Sequence, residues 1–341
     1  MEAQVVKVPI IQVKNLTKVF KTAVRKTGRF SALHSLINRE YIEKTAVDSI
    51  SFNIRKGEIV GYIGPNGAGK STSIKMLTGI LKPSSGKVEI AGLIPYKNRR
   101  KHVRHIGVVL GQKTQLWWDI PLIESLMLLK EIYKVGDKTY KENMIVFEEL
   151  LSISDFQDKP VRQLSLGQRM RGDLAASLLH SPDILFLDEP TIGVDVVTKE
   201  KFRVFIRKLN QEHKTTILLT THDMADIERI CERIIIIDEG KILHDMPLVE
   251  LKKIIKGYDV LEFEINNERF NSTALNSVFG NKLQLNNLGH RRFKIDFDSA
   301  ELATSDLISY LAQNYQLKSI AIKEPEIETL VRDIFEKSEN N

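Results

Sequence analysis

Two stretches of the chain carry residues whose types and spacing could do chemistry on a phosphate. The first is Gly64-Pro65-Asn66-Gly67-Ala68-Gly69-Lys70-Ser71-Thr72, which fits the pattern GxxxxGK[ST]. Glycines at 64, 67 and 69 let a backbone curl without Cβ clashes, so that successive N–H groups converge on an anion at the positive end of a helix. Lys70 is then placed to reach the β- and γ-phosphates of a nucleotide, and the Ser71 hydroxyl to ligate Mg²⁺. The second stretch lies far downstream: Ile184-Leu185-Phe186-Leu187-Asp188-Glu189, an apolar run that ends in two carboxylates. A buried strand needs no acids at its tip, so Asp188 is assigned to the metal through a water, and Glu189 to polarising an attacking water.

Both stretches have to be held by regular elements, and the pattern supplies them. Ile50, Phe52 and Ile54 alternate with polar neighbours and Ile59 to Ile63 is apolar throughout, so two strands lead into the glycine-rich turn. A helix is expected after it, Lys70 to Leu81, stopping before Pro83. Apolar runs at 106–110, 184–187, 216–219 and 234–237 alternate with amphipathic segments such as 202–209. Buried strands alternating with helices spell an α/β sheet. Between Pro121 and Leu151 the residues Leu122, Leu126, Leu129 and Tyr133 recur at helical spacing, which marks a helical insert.

The register changes near Gly257. Strands at 260–265, 282–285, 292–297 and 317–322 interleave with helices at 273–278 and 307–311, giving the order βαββαβ of a small α+β ferredoxin-like domain. An amphipathic helix follows at 327–335, and Ile322 and Ile327 are expected in its core. The expected division is thus residues 1–246 and 257–341. Length agrees with this, since 341 residues make two domains at roughly 150 residues each.

Composition excludes several classes. The chain is 28% charged and 42% hydrophobic, with 50 Lys and Arg against 44 Asp and Glu for a net charge of +6, which is globular rather than disordered. No stretch approaches the roughly 18 uncharged apolar residues of a membrane span, and Glu2, Lys7, Lys14 and Lys18 interrupt any signal-peptide core. The expectation is a chain that neither crosses a membrane nor is secreted. Its one cysteine, Cys231, cannot close an internal disulfide or build a zinc site, which fits a reducing interior.

One further motif, Leu164-Ser165-Leu166-Gly167-Gln168, precedes the helix-like segment 169–179 and stands shortly before the acidic strand. With it the chain resembles the ATP-binding cassette (ABC) ATPases, whose signature is LSGGQ; Leu166 stands where that family usually has glycine. The resemblance covers residues 8–246, with the basic segment 21–44 as an insertion, and implies a P-loop NTPase cassette with a mixed sheet core and a helical subdomain at 113–181. It implies that Ser165, Gly167 and Gln168 contact the γ-phosphate of ATP held by a second copy, again through a helix N-terminus. It makes Gln112 the glutamine-loop residue, catalytic and a ligand of Mg²⁺, although Ile106 to Gln112 is one residue longer than the family's usual spacing and Gln115 follows closely. Asp195, in Thr191-Ile192-Gly193-Val194-Asp195, becomes the D-loop residue, and His222, in Thr220-Thr221-His222-Asp223, the catalytic switch histidine. For the aromatic that stacks on adenine, motif position selects Phe20, after Leu16-Thr17-Lys18-Val19, and is preferred; counting back from Gly64 selects Tyr41.

The resemblance further implies ATP and Mg²⁺ as cofactors, a head-to-tail homodimer, and ATP hydrolysis that drives transport through separate integral membrane permease subunits. The chain would then associate peripherally with the cytoplasmic face of the cell membrane, with no nucleic acid as partner. The single cassette, the run EPTIGVD and the extra carboxy-terminal domain look like the daunorubicin-resistance and sodium-efflux type of exporter ATPase. Uncharacterised bacterial cassettes with an inserted basic arm, LSLGQRMR and QLWWD are closer still. Trp117 and Trp118 could anchor an interface or pack in the helical insert, and the basic arm could touch anionic lipid or simply be solvated. The competing class is a soluble ABC ATPase acting on ribosomes or nucleic acid, to which the positive charge lends support. Against it stand the single cassette and the short span between phosphate loop and signature.

Overall fold

The structure, a computed structural model, describes residues 8–23, 41–111, 113–255, 258–266, 270–299 and 301–323, with 327–328, 331–332 and 334–335. The chain divides into two compact units, 1–246 and 247–341. The first unit begins with β1 (Ile11–Ala23), β2 (Tyr41–Ile54), β3 (Ile59–Ile63), α1 (Lys70–Leu77), β4 (Ser85–Ile90), α2 (Arg99–His102) and β5 (Ile106–Leu110). The helices α3 (Leu122–Tyr133), α4 (Asp137–Leu151) and α5 (Leu166–Leu178) follow. It closes with β6 (Ile184–Asp188), α6 (Val196–His213), β7 (Thr216–Thr220), α7 (Met224–Ile230), β8 (Arg233–Asp238) and β9 (Lys241–Pro247).

Two sheets share one core. Strands β2, β1 and β4 form an antiparallel sheet, while a six-stranded sheet runs in the order β5-β6-β7-β3-β8-β9. Along the latter, β5, β6, β7, β3 and β8 are mutually parallel. Parallel strands are covered on both faces, which is why β3 and β7 read as unbroken apolar runs and are buried throughout. Ile11, Val13 and Leu16 of the small sheet pack in one cluster with Tyr62 and Phe186 of the large one and with Ile74, Met76 and Leu77 of α1. Because β3, β7 and β6 are neighbours, everything that leaves their carboxyl ends emerges side by side, where ligands of open parallel sheets bind.

Helix α1 is shorter than its sequence predicts, ending at Leu77 rather than Leu81. Gly79 turns left-handed (φ 74°), and the N–H of Leu81 then closes back on the carbonyl of Lys75, the glycine-dependent stop of a helix end. The basic insertion begins as strand: Lys21, Thr22 and Ala23 extend β1 and pair with Glu43, Ile42 and Tyr41. The rest of that segment, 24–40, lies outside the described residues.

The second unit contains α8 (Leu248–Ile255), β10 (Tyr258–Ile265), α9 (Ser272–Phe279), β11 (Leu283–Gly289), β12 (Arg292–Asp298), α10 (Thr304–Asn314) and β13 (Leu317–Lys323). Its sheet order is β11-β12-β10-β13, antiparallel throughout, the ferredoxin-like arrangement. Leu261, Phe263, Phe293, Ile295 and Phe297 line one sheet face and meet Leu275, Leu307 and Leu311 from the helices. Ile327 is buried, but Ile322 is 57% exposed, contrary to its expected core position. Among the described residues β13 is an edge strand paired with β10 alone, and residues 318–323 are exposed whichever way they point.

Candidate active site

The loop from Gly64 to Gly69 joins β3 to α1 and is shaped by contacts a side chain would forbid. A Cβ on Gly64 would stand 2.1 Å from the carbonyl oxygen of Ile237, and one on Gly69 (φ 103°) 2.4 Å from that of Ala46. Gly67 (φ 89°) has open space where its Cβ would be. Pro65 is half-buried, Asn66 exposed and Ala68 buried, its N–H bonded to the carbonyl of Pro65. Lys70 is buried, and its ammonium donates to the carbonyls of Gly64 (2.6 Å) and Pro65 (3.0 Å). Burial pushes its pKa down, against the pull of Glu189 and Asp188, which raises it. A buried ammonium with neutral carbonyls for partners, at a helix start without acids in its first turn, is short of an anion; a polyphosphate fits it. Ser71 is exposed and Thr72 partly so.

Asp188 ends β6 beside Thr220 of β7, with which it is in register. The Thr220 hydroxyl donates to Asp188 Oδ1 (2.6 Å) and accepts from the N–H of Glu189 (3.1 Å), fixing both acids from the next strand. Glu189 takes a left-handed backbone (φ 52°), uncommon for a residue with a side chain. Its Oε1 lies 2.7 Å from Nε2 of His222, which follows β7 and is 43% exposed. Thus Lys70, Asp188, Glu189 and His222 are brought together at the carboxyl ends of β3, β6 and β7. Sequence reading missed two supports of this group. Thr220 is one. The other is Gly111, whose N–H donates to the Asp188 carbonyl (2.8 Å) and whose Cβ would sit 2.0 Å from the carbonyl oxygen of Glu189. Thr220 stands in the run quoted for His222, but the role of each is played across strands, which no local pattern shows.

Among the described residues no group of three or more His, Cys, Asp or Glu is arranged to hold a metal. A serine hydroxyl and one water-linked carboxylate nevertheless suit Mg²⁺, which keeps several waters and takes its other ligands from substrate phosphates. Ser71 and Asp188 are such a donor set.

A second group gathers Ser165, Gly167, Gln168 and Asp195 at two helix starts. Ser165 and Gln168 form a reciprocal capping box on α5: Gln168 N–H donates to Ser165 Oγ (3.2 Å), and Ser165 N–H to Gln168 Oε1 (2.9 Å). Asp195 caps α6, accepting from the N–H (3.0 Å) and hydroxyl (2.7 Å) of Thr198, which lower its pKa. The two helix starts touch, since a Cβ on Gly167 would meet the Thr198 side chain at 3.2 Å and one on Gly193 would meet Leu166 at 2.9 Å. Leu166 therefore packs against the loop that ends in Asp195.

Phe20 is paired with Lys44, two residues from the Ala46 carbonyl that borders Gly69, or about 7 Å along the strand. Tyr41 is five residues away, about 17 Å. Phe20 is 39% exposed and carries the Lys18 ammonium 5.3 Å from its ring centre. Gln112 lies outside the described residues. Trp117 and Trp118 are 40% and 48% exposed, so neither is core. Met127, Leu128 and Ile132 of α3 are exposed as well.

Residues 47–192 match the ABC transporter family profile. The bacitracin transport ATP-binding protein BcrA of Bacillus licheniformis is 35% identical over 68% of this chain and 74% of its own length. The linearmycin resistance ATP-binding protein LnrL of Bacillus subtilis is 30% identical over 86% of this chain and 94% of its own. Among solved structures, a dimeric ATP-binding cassette in a post-hydrolysis state with ADP and phosphate superposes with a TM-score of 0.57. It is 28% identical and covers 70% of this chain and 98% of its own.

Proposed function

This chain belongs to the ABC transporter family of ATP-binding proteins, and from that premise we propose that it is the ATP-hydrolysing subunit of an exporter of the daunorubicin-resistance and sodium-efflux type. It would work as a homodimer at the cytoplasmic face of a membrane, on permease subunits encoded separately. The observation that carries the reading is the 2.7 Å contact between Glu189 and His222, set beside a buried Lys70 whose ammonium is hydrogen-bonded to the carbonyls of Gly64 and Pro65. The relatives named for bacitracin transport and linearmycin resistance, with the added ferredoxin-like unit, support the exporter type. No helix among the described residues is long and apolar enough to cross a membrane.

In the mechanism we infer, the Lys70 ammonium leaves the carbonyls of Gly64 and Pro65 for the β- and γ-phosphates of ATP, while the loop N–H groups from Gly64 to Thr72 cradle them. Ser71 Oγ, Asp188 through a water and, as the resemblance implies, Gln112 would hold Mg²⁺, which would supply positive charge at the phosphates. Glu189 orients the attacking water and takes its proton at Oε2, while His222 steadies the carboxylate through Oε1. Ser165, Gly167 and Gln168 of the partner copy close over the γ-phosphate from the helix start they cap, with Asp195 beside them. Phe20 stacks on adenine, its shorter distance from the phosphate loop favouring it over Tyr41. Hydrolysis removes the bridging phosphate and lets the dimer open. Trp117, Trp118 and the exposed apolar residues of α3 form the surface for a permease helix.

Glu189→Gln tests this reading. The variant should bind ATP and accumulate as a dimer with turnover reduced by several orders of magnitude, measured by phosphate release and sedimentation. Wild-type turnover in that variant would remove Glu189 as base. Tagging the native chain, extracting membranes in mild detergent and quantifying what copurifies tests the transport role. An integral membrane protein in near-equal amount is expected, and recovery only with ribosomes or nucleic acid would overturn it.

A further inference from the structure

Helix α5 carries a buried acid that the proposed mechanism does not use. Asp173 is 7% exposed, two turns beyond Ser165. Its Oδ1 accepts two hydrogen bonds from the loop that follows Gln112, one from the Thr114 hydroxyl (2.8 Å) and one from the N–H of Gln115 (3.1 Å). The Gln115 side-chain amide returns a third bond to the Asp173 carbonyl (3.1 Å), and the Thr114 hydroxyl accepts from the N–H of Leu116 (3.1 Å).

The same loop and the start of α3 meet α5 and the turn before it at further points. A Cβ on Gly172 would stand 3.0 Å from Leu122 and 3.1 Å from Leu116, so the helix backbone lies directly on those side chains. The Arg169 guanidinium, one residue past the signature, sits over the Trp118 ring at 5.5 Å. Arg162 donates its backbone N–H to the carbonyl of Trp118 (3.0 Å) and pairs with Asp119. Asp173 is the polar centre of this joint. A buried carboxylate is retained against its desolvation only where it satisfies donors that would otherwise be stranded, and here both donors belong to the loop.

We propose that Asp173 is a positioning residue that pins the tryptophan-bearing loop, 113–118, to the signature helix, so that the loop and Ser165 move as one body when ATP engages Ser165. The permease-facing surface and the γ-phosphate contact are thereby two ends of one rigid piece. The inference rests on the ATPase reading above, in which Ser165 meets nucleotide.

The chain's only two tryptophans lie in this loop, so its intrinsic fluorescence reports the loop directly. The experiment uses the full chain with Glu189→Gln, titrated with Mg-ATP, following tryptophan emission and, separately, nucleotide binding. Expected is an ATP-dependent change in emission that survives Asp173→Asn, which can keep the Oδ1 acceptor. The change should fall at least severalfold in Asp173→Leu and in the milder Thr114→Val, with ATP affinity unchanged within about twofold. A merely structural role would lower the melting temperature of all three without separating Asn from Leu. The same emission change in Asp173→Leu or Thr114→Val as in the parent, or ATP binding with no change in the parent, overturns the proposal. Failure of the parent to bind ATP at all would instead overturn the ATPase reading.

Discussion

Lys70 shows how a single side chain can be built for a partner it does not itself supply. Its ammonium rests on two carbonyls, and burial lowers its pKa. Lys70→Ala should remove a charge-assisted contact of about 1.5–3 kcal/mol and weaken ATP binding by roughly one to two orders of magnitude, measured by calorimetry. Asp173 gives a pH prediction of opposite character. Burial raises its pKa from 3.8 to about 6, against the opposing hydrogen bonds from Thr114 and Gln115 and the pull of Arg169. Between those values the folded chain holds a proton that the unfolded chain has released, so stability falls as pH rises from about 4 to about 6, by about 3 kcal/mol. Asp173→Asn should flatten that decline, read from denaturant midpoints across the range. The sequence marked Lys70, Asp188 and Glu189 from residue types at the ends of apolar runs, and His222 joined them only through the resemblance. Thr220, Gly111 and Asp173 were not legible, since each acts on a segment remote in sequence through a register or a helix-to-loop contact that no local pattern encodes.

At the scale of elements, helix starts and stops were the least predictable features, and the structure explains them by a left-handed glycine at one end and capping side chains at others. Helix α1 stops at Gly79, which the apolar spacing of Leu77 and Leu81 conceals. The starts of α5 and α6 use the same side chains that the resemblance assigns to nucleotide contact, so capping and function are confounded there. Ser165→Ala should cost α5 about 1 kcal/mol of stability through the lost box and, separately, abolish ATP-dependent dimerisation in the Glu189→Gln background. Ser165→Asn, which restores a cap, should recover the melting temperature but not the dimer. Strands were read well: continuous apolar runs mark the parallel sheet and alternation marks the second unit. The failure at Ile322 arises because alternation reports which face a residue is on and says nothing of whether the strand is at an edge.

The whole molecule consists of a cassette with its reactive groups at the carboxyl ends of β3, β6 and β7 and a second, antiparallel unit in which no group was assigned to chemistry. Exposed Trp117 and Trp118 belong to the cassette. Replacing both with alanine should leave ATP affinity unchanged and lose the integral membrane protein from detergent pull-downs. The backbone at Glu189 has a consequence at this scale too. A left-handed residue with a side chain is held there by its surroundings at about 1–2 kcal/mol, a strain glycine does not feel. Glu189→Gly should therefore melt higher than the native chain while losing turnover. A population screened for heat resistance alone would discard its own catalyst, since the change that relieves the backbone also removes the carboxylate that turnover needs.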